Sequence, residues 1–250
     1  MRFRQSAQRG VWPCSTVVIL FSLAAASGLL SARPLPPSEE PAEPRVRQAL
    51  FVVAEGVYNS ELMAPYDVLQ HTVFRDSADY VQTAIVSADG GPVVTFEGIT
   101  IEAHYSFADA PRADILVIPS TQGSMSGDLD DEAYMGWIRQ AVGEAEWVVT
   151  VCDGAFPLAA TGALDGRVAT TFPGDRDQLA QMFPKVAVRH DVRLVVDGKF
   201  ITSVGGGMSY EPAFWLVEKL YGSEHVEATA RGLVWPWDIE KVPHLVVGAR

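Results

Sequence analysis

Apolar residues in this chain come in short, dense runs separated by stretches of helical spacing. Ala49–Ala54, Asp114–Pro119 and Trp147–Val151 are almost continuously apolar, the pattern of strands buried on both faces of a parallel sheet. Glu61–Val73 places Leu62, Pro65, Val68 and Leu69 at helical spacing, and Asp130–Glu144 does the same with Tyr134, Trp137, Ile138 and Ala141. Pro65 is expected in the first helical turn, where its missing N–H costs little. Tyr80–Val86 reads as a strand, Asp89-Gly-Gly-Pro92 as a turn, and Val93–Thr95 and Thr100–Ala103 as shorter strands. Strands near Val168–Thr171, Ala187–His190, Val192–Val196 and Phe200–Ser203 lead to helices starting near Tyr210 and Glu224. Strands alternating with helices predict an α/β sandwich with a mostly parallel sheet. No internal repeat is present.

The first 47 residues have another character. Arg2, Arg4 and Arg9 precede an uncharged apolar run from Val11 to Leu30, and Ser31–Pro44 is rich in Pro and Glu. The expected organisation is a signal peptide or an uncleaved membrane anchor over 1–32, a linker over 33–47 and one domain over 48–250. That places the domain outside the cytoplasm, periplasmic or extracellular, with the membrane reached only through the N-terminal segment. With 48% hydrophobic residues among 250, the chain has material for one large core. The leading 47 residues hold six Arg and three Glu of the chain's 19 basic and 31 acidic residues, which leaves the domain near −15. No basic stripe remains to hold nucleic acid.

Candidate chemistry concentrates where the strand Trp147–Val151 turns at Cys152-Asp153-Gly154 into a short helical pattern, Ala155–Ala160. A nucleophile on a sharp strand-to-helix turn has the layout of a nucleophile elbow. The N–H groups of the helix start favour thiolate, so Cys152 is expected to titrate below about 8.5. The competing reading is a buried structural Cys. Loss of a signal peptide would remove Cys14 and leave Cys152 as the one thiol, with no internal disulfide. No His pair has ligand spacing, and no metal or cofactor site is indicated.

The stretch Val151–Thr171 resembles the elbow region of the ThiJ/PfpI family, in the class I glutamine-amidotransferase-like superfamily. Gly56–Val68 resembles its first strand–helix junction, and Val195–Gly207 with the following Glu211–Tyr221 segment resembles its closing hairpin and helix. The blocks stand in family order across about residues 48–235. The resemblance implies a flavodoxin-like three-layer sandwich, a small-molecule substrate and a homodimer. It also implies that Glu61 faces the Cys152 thiol and hydrogen-bonds to sulfur through a protonated carboxyl. Oxyanion donors would come from the backbone of Asp153 and Gly154, and from Ser120 and Thr121, which stand where many relatives carry a Gly-Gly pair.

The family's general base is missing. The protease branch places His after the nucleophile, where this chain has Asp153; other members place it after a Thr-Thr pair, where this chain has Phe172. The remaining His71, His104, His190, His225 and His244 match no motif. An acidic residue working with Cys without a His resembles the isonitrile-hydratase-like branch, with Asp153 as base or orienting group. Three functions stay open: a cofactor-independent Cys hydrolase or lyase, an oxidation-sensing stress protein, and a binding module that has lost activity.

Overall fold

The computed structural model describes residues 44–248. The expected signal or anchor segment, and the linker as far as residue 43, lie outside the described residues. The first strand begins earlier than the apolar run suggests, because Val46–Val52 pairs with its neighbour from its first residue, Val46 against Tyr80.

Twelve strands are found among the described residues: β1 (Val46–Val52), β2 (Tyr80–Ser87), β3 (Val93–Val94), β4 (Thr100–Ile101), β5 (Tyr105–Ser106) and β6 (Ile115–Ile118), then β7 (Trp147–Val151), β8 (Val168–Ala169), β9 (Ala187–Val188), β10 (Leu194–Asp197), β11 (Phe200–Ser203) and β12 (His244–Val246). Eight of them form one sheet in the order β12-β10-β11-β7-β6-β1-β2-β5. Within it only the β10–β11 hairpin is antiparallel. The helices are α1 (Asn59–Gln70), α2 (Gly127–Asp130), α3 (Glu132–Glu144), α4 (Ala155–Ala160), α5 (Arg176–Met182), α6 (Glu211–Tyr221) and α7 (Ser223–Gly232).

Successive side chains of a strand point to opposite faces, and here both faces are covered. Phe51, Val117 and Val149 pack with Leu62 of α1 and Phe214 of α6. Leu50, Leu116 and Val148 pack with Ile138 of α3 and Phe156 of α4. This is why the strands read as unbroken apolar runs, and it bears out the expected flavodoxin-like sandwich.

Several local expectations change. Pro65 lies inside α1 rather than in its first turn, since the helix starts at Asn59; it therefore removes the bond its N–H would give the Glu61 carbonyl. The helix expected from Asp130 is divided at Asp131, whose carboxylate caps the N–H groups of Ala133 and Tyr134 at 2.9 and 3.0 Å. β5, α5 and β12 were not anticipated. β12 carries the C-terminal segment back to the sheet, beside β10.

Candidate active site

Parallel register brings the carboxyl ends of the central strands to one edge. Ile118 of β6 lies against Thr150 of β7, and Val151 of β7 against Ser203 of β11. Cys152 is the first residue past β7 and adopts φ 56°, a left-handed conformation uncommon for a residue with a side chain and of order 1–3 kcal/mol in cost. Two glycines make room for it. A Cβ on Gly154 would overlap the Ile118 carbonyl oxygen, and a Cβ on Gly205 (φ 72°) would lie 2.9 Å from both Cα and N of Cys152. The Gly205-Gly206-Gly207 run thus lets the end of β11 pass directly under the elbow.

Glu61, in the first turn of α1, is buried at this same edge. The backbone N–H of Gly206 approaches its Oε1 at 3.4 Å. Its Oε2 is buried without a partner of ordinary hydrogen-bond geometry, and the Cys152 thiol and the Ser120 backbone are the groups that face the carboxyl. Burial pushes the Glu61 pKa up to about 7, with the thiol and N–H contacts opposing the shift and the Asp153 charge adding to it.

Asp153 is the third member. Thr171 Oγ1 lies 2.9 Å from Asp153 Oδ1 and 2.9 Å from the Cys152 carbonyl oxygen. Burial raises the Asp153 pKa to about 6; the Thr171 hydroxyl lowers it, while the charge of Asp175 and a hydrogen bond to that carboxyl raise it. Sequence reasoning missed Asp175 and Thr171. The Thr-Thr pair had been read only as a marker for a missing His, and nothing in the irregular segment before α5 distinguishes Asp175 from its neighbours. Phe172, in the family's His position, is 44% exposed and lines a cleft with His190.

The expected acidic thiol is not what this environment produces. Burial raises the Cys152 pKa, and the charges of Glu61 and Asp153 raise it further; the Asp153 N–H is the opposing influence. The reason is geometric. A short 3-10 turn, Cys152–Gly154, intervenes before α4, and α4 is only six residues long, so little helix dipole reaches the sulfur. The Glu61 carboxyl, raised to about 7, is divided between protonated and ionised forms at neutral pH, and in its ionised form it accepts from the thiol.

The oxyanion expectation narrows as well. Thr121 is buried, its N–H donates to Ser124 Oγ at 2.9 Å and its hydroxyl bonds Asp128, which leaves it no free donor. The Ser120 carbonyl accepts from Tyr58 N at 3.1 Å, and its backbone is also turned toward Glu61. Asp153 N, beside the sulfur, and Gly154 in the same turn remain at the elbow. Among the described residues no group of three or more His, Cys, Asp or Glu is arranged to hold a metal.

Comparison with known proteins places this geometry. The DJ-1/PfpI family profile matches residues 47–219. The chain belongs to the DJ-1/PfpI family. Isonitrile hydratase of Pseudomonas putida is 30% identical over 172 residues, covering 69% of this chain and 71% of that protein. A deglycase of Pyrococcus horikoshii is 26% identical over 161 residues, covering 62% of this chain and 89% of the other. The crystal structure of Drosophila melanogaster DJ-1beta superposes with a TM-score of 0.65 at 25% identity, over 77% of this chain and 100% of that one. The ThiJ/PfpI resemblance read from three sequence blocks is therefore correct, and DJ-1/PfpI domains with hydratase and deglycase names share its sequence pattern.

Proposed function

We propose that this DJ-1/PfpI chain is a cofactor-independent enzyme that adds water to an electrophilic carbon of a small molecule through Cys152. The observation carrying the proposal is the pairing of a left-handed elbow cysteine with a buried carboxyl that ionises near pH 7. Such a carboxylate is matched to general-base work at neutral pH. The sulfur bonds to the electrophilic carbon while Glu61 takes the thiol proton. With an isonitrile, the group named for the Pseudomonas relative, Glu61 returns that proton to the same carbon and a thioimidate forms. Water then adds to this carbon, the C–S bond breaks, one proton goes to nitrogen and one to sulfur, and an N-substituted formamide leaves. Asp153 N–H stands beside the sulfur, and in this proposal the Asp153 carboxyl positions the water.

The oxidation-sensing alternative draws less support. Peroxide oxidises thiolate, and burial, with the two neighbouring carboxyls adding to it, favours the protonated sulfur here. The test is incubation with a panel of alkyl isonitriles and NMR detection of the formamide. Product from the wild type and none from Cys152→Ala is expected. Absence of product, and of any covalent Cys152 adduct by mass, would leave the inactive binding module in front.

Two expectations beyond the site stand as proposals. Export through residues 1–32 is tested by fractionation: full-length chain recovered from the cytoplasm would remove it. A homodimer is supported by the exposed Met63, Phe96 and Ile99 beside α1, and light scattering showing a monomer at micromolar concentration would overturn it.

A further inference from the structure

A cleft of about 460 Å³ opens directly beside the elbow. Two of its lining residues belong to the site: Gly205 touches Cys152, and Gly206 N–H approaches Glu61. A molecule seated in the cleft therefore lies beside the elbow, separated from Cys152 and Glu61 by the Gly205-Gly206 backbone. Phe172, Val192, Val204, Met208 and Pro243 give it largely apolar walls. Against this apolar lining stand two arginines, in a domain that is otherwise strongly acidic.

Among the described residues Arg176 has no carboxylate partner, and Arg193 has one that satisfies only part of its guanidinium. Arg176 is buried and held by the His190 and Val192 carbonyls at 2.6 and 2.7 Å and by the Thr170 hydroxyl at 3.2 Å. Among the described residues no carboxylate pairs with it, and Asp191 at the rim is bridged instead to Arg189 at 2.6 Å. Arg193 makes one contact with a carboxylate, Nη2 to Glu211 Oε1 at 2.8 Å. Its Nε and the other Glu211 oxygen are buried without partners. Its Nη1 meets only the Met208 sulfur, at 3.5 Å, a weak acceptor. A guanidinium suits a planar two-point contact with a carboxylate, and Arg193 has a face left for one. Gly207 adds a second donor, since among the described residues its N–H has no protein acceptor.

We propose that this cleft binds an apolar carboxylate, with the apolar body on the Phe172 and Met208 walls and the carboxylate on Arg193 Nη1 and Gly207 N–H. The uncompensated charge of Arg176 behind the wall favours the same sign of ligand. Resting on the Cys152 reading, this makes the substrate class a small apolar acid that carries the electrophilic carbon; the binding itself does not depend on that reading.

The experiment compares two neutral-or-charged isosteres. Calorimetry on full-length Cys152→Ser uses benzoate and benzamide as probes. Benzoate should bind at least about tenfold tighter, the worth of one charge-assisted contact. The preference should vanish in Arg193→Gln/Glu211→Gln, which removes both partners of the ion pair together, and shrink in Arg193→Lys, which keeps the charge and loses the fork. Equal affinity for the two probes, no benzoate binding at millimolar concentration, or a preference that survives the double substitution would each overturn the proposal. Turnover separates the two claims. Benzoate preference without any isonitrile turnover sinks the enzymatic reading and leaves the cleft standing. Turnover of phenyl isonitrile equal to or faster than that of its 4-carboxylate overturns the carboxylate as substrate class and leaves the enzyme, while the binding claim is decided by the calorimetry.

Discussion

The two edges of the central sheet treat charge in opposite ways. At the amino ends of the strands, charges meet partners. Arg47 bonds Asp79 at 2.5 Å and the Tyr221 hydroxyl at 3.2 Å, Arg45 bonds Glu146, and Lys199 Nζ donates to the Val142 carbonyl at 2.6 Å. At the carboxyl ends, Glu61, Asp153 and Cys152 crowd together, and among the described residues none of the three forms an ion pair. Their pKa values rise at that edge, to about 7 for Glu61 and about 6 for Asp153. Backbone strain is stored there too, at Cys152 φ 56°. One edge contributes stability; the other gives some up to crowd buried titratable groups together.

The largest break in this contrast comes from the glycines that let the reactive edge close. Gly154→Ala would drive a methyl into the Ile118 carbonyl, which is backbone and cannot step aside. A loss of more than about 4 kcal/mol, or no folded protein, is expected on urea denaturation. Gly205→Ala should follow closely, since its φ of 72° is also unfavourable for alanine. Gly206→Ala is the control: nothing lies within 4 Å of its Cβ position, though φ is 57°, so a cost of about 1 kcal/mol is expected.

Next comes a difference in sign between two neutralised carboxylates. Glu61 has a folded-state pKa raised from 4.5 to about 7. Its contribution is fully present below about pH 4.5 and is lost as pH rises through 7. At pH 8 the buried charge therefore costs up to about 3 kcal/mol. Glu61→Gln should raise Tm at pH 8, leave it nearly unchanged at pH 4, and abolish turnover. Asp79→Asn at the other edge should lower stability at pH 8 by about 1–3 kcal/mol, and Tm with it, because it leaves the buried Arg47 without its carboxylate. Melts at the two pH values check both, and a matching sign for the two substitutions would dissolve the comparison.

A smaller effect concerns rate. If Glu61 is the base, kcat/KM for an isonitrile should climb with pH and level off above about 7, where the carboxylate is formed. Iodoacetamide alkylation of Cys152 should keep rising beyond pH 9, because the thiol itself is held protonated. A plateau in alkylation below pH 8 would restore the acidic thiol.

Much of this was legible in the residues, and what was not has identifiable causes. The buried strands announced themselves because a sheet covered on both faces leaves no polar alternation. The elbow was visible as a strand former run meeting Cys-Asp-Gly. Glu61 was placed by resemblance to a family whose block order survives here. The direction of the thiol shift was misread because it depends on how many carboxyls the fold brings to one point, and on a 3-10 turn that separates Cys152 from α4; neither is written in local spacing. Thr121 looked like a donor in the sequence and became a loop anchor because Ser124 and Asp128, three and seven residues on, fold back to it. The pairing of Asp153 with Asp175 crosses 22 positions of irregular chain, beyond the reach of any periodicity.

That pairing gives the smallest and most discriminating test of the crowded edge. Burial is the leading cause of the raised Asp153 pKa, with Asp175 adding to it through charge and a hydrogen bond. Asp175→Asn removes the added charge and keeps a side chain of similar shape. The Asp153 pKa should fall from about 6, yet stay above the ordinary 3.8 because burial remains. By linkage, the stability that Asp153 loses as pH rises should be lost at lower pH and in smaller amount, so the variant gains a few tenths to about 1 kcal/mol at pH 8. Carboxyl titration by NMR on isotopically labelled protein reads the shift directly. An Asp153 pKa that stays near 6 in Asp175→Asn would assign the whole effect to burial, and the carboxyl edge would then be a dry pocket rather than a crowd of like charges. A fall toward 3.8 would instead make Asp175 the control on Asp153, and through it on the Cys152 thiol, whose own pKa the Asp153 charge helps to raise.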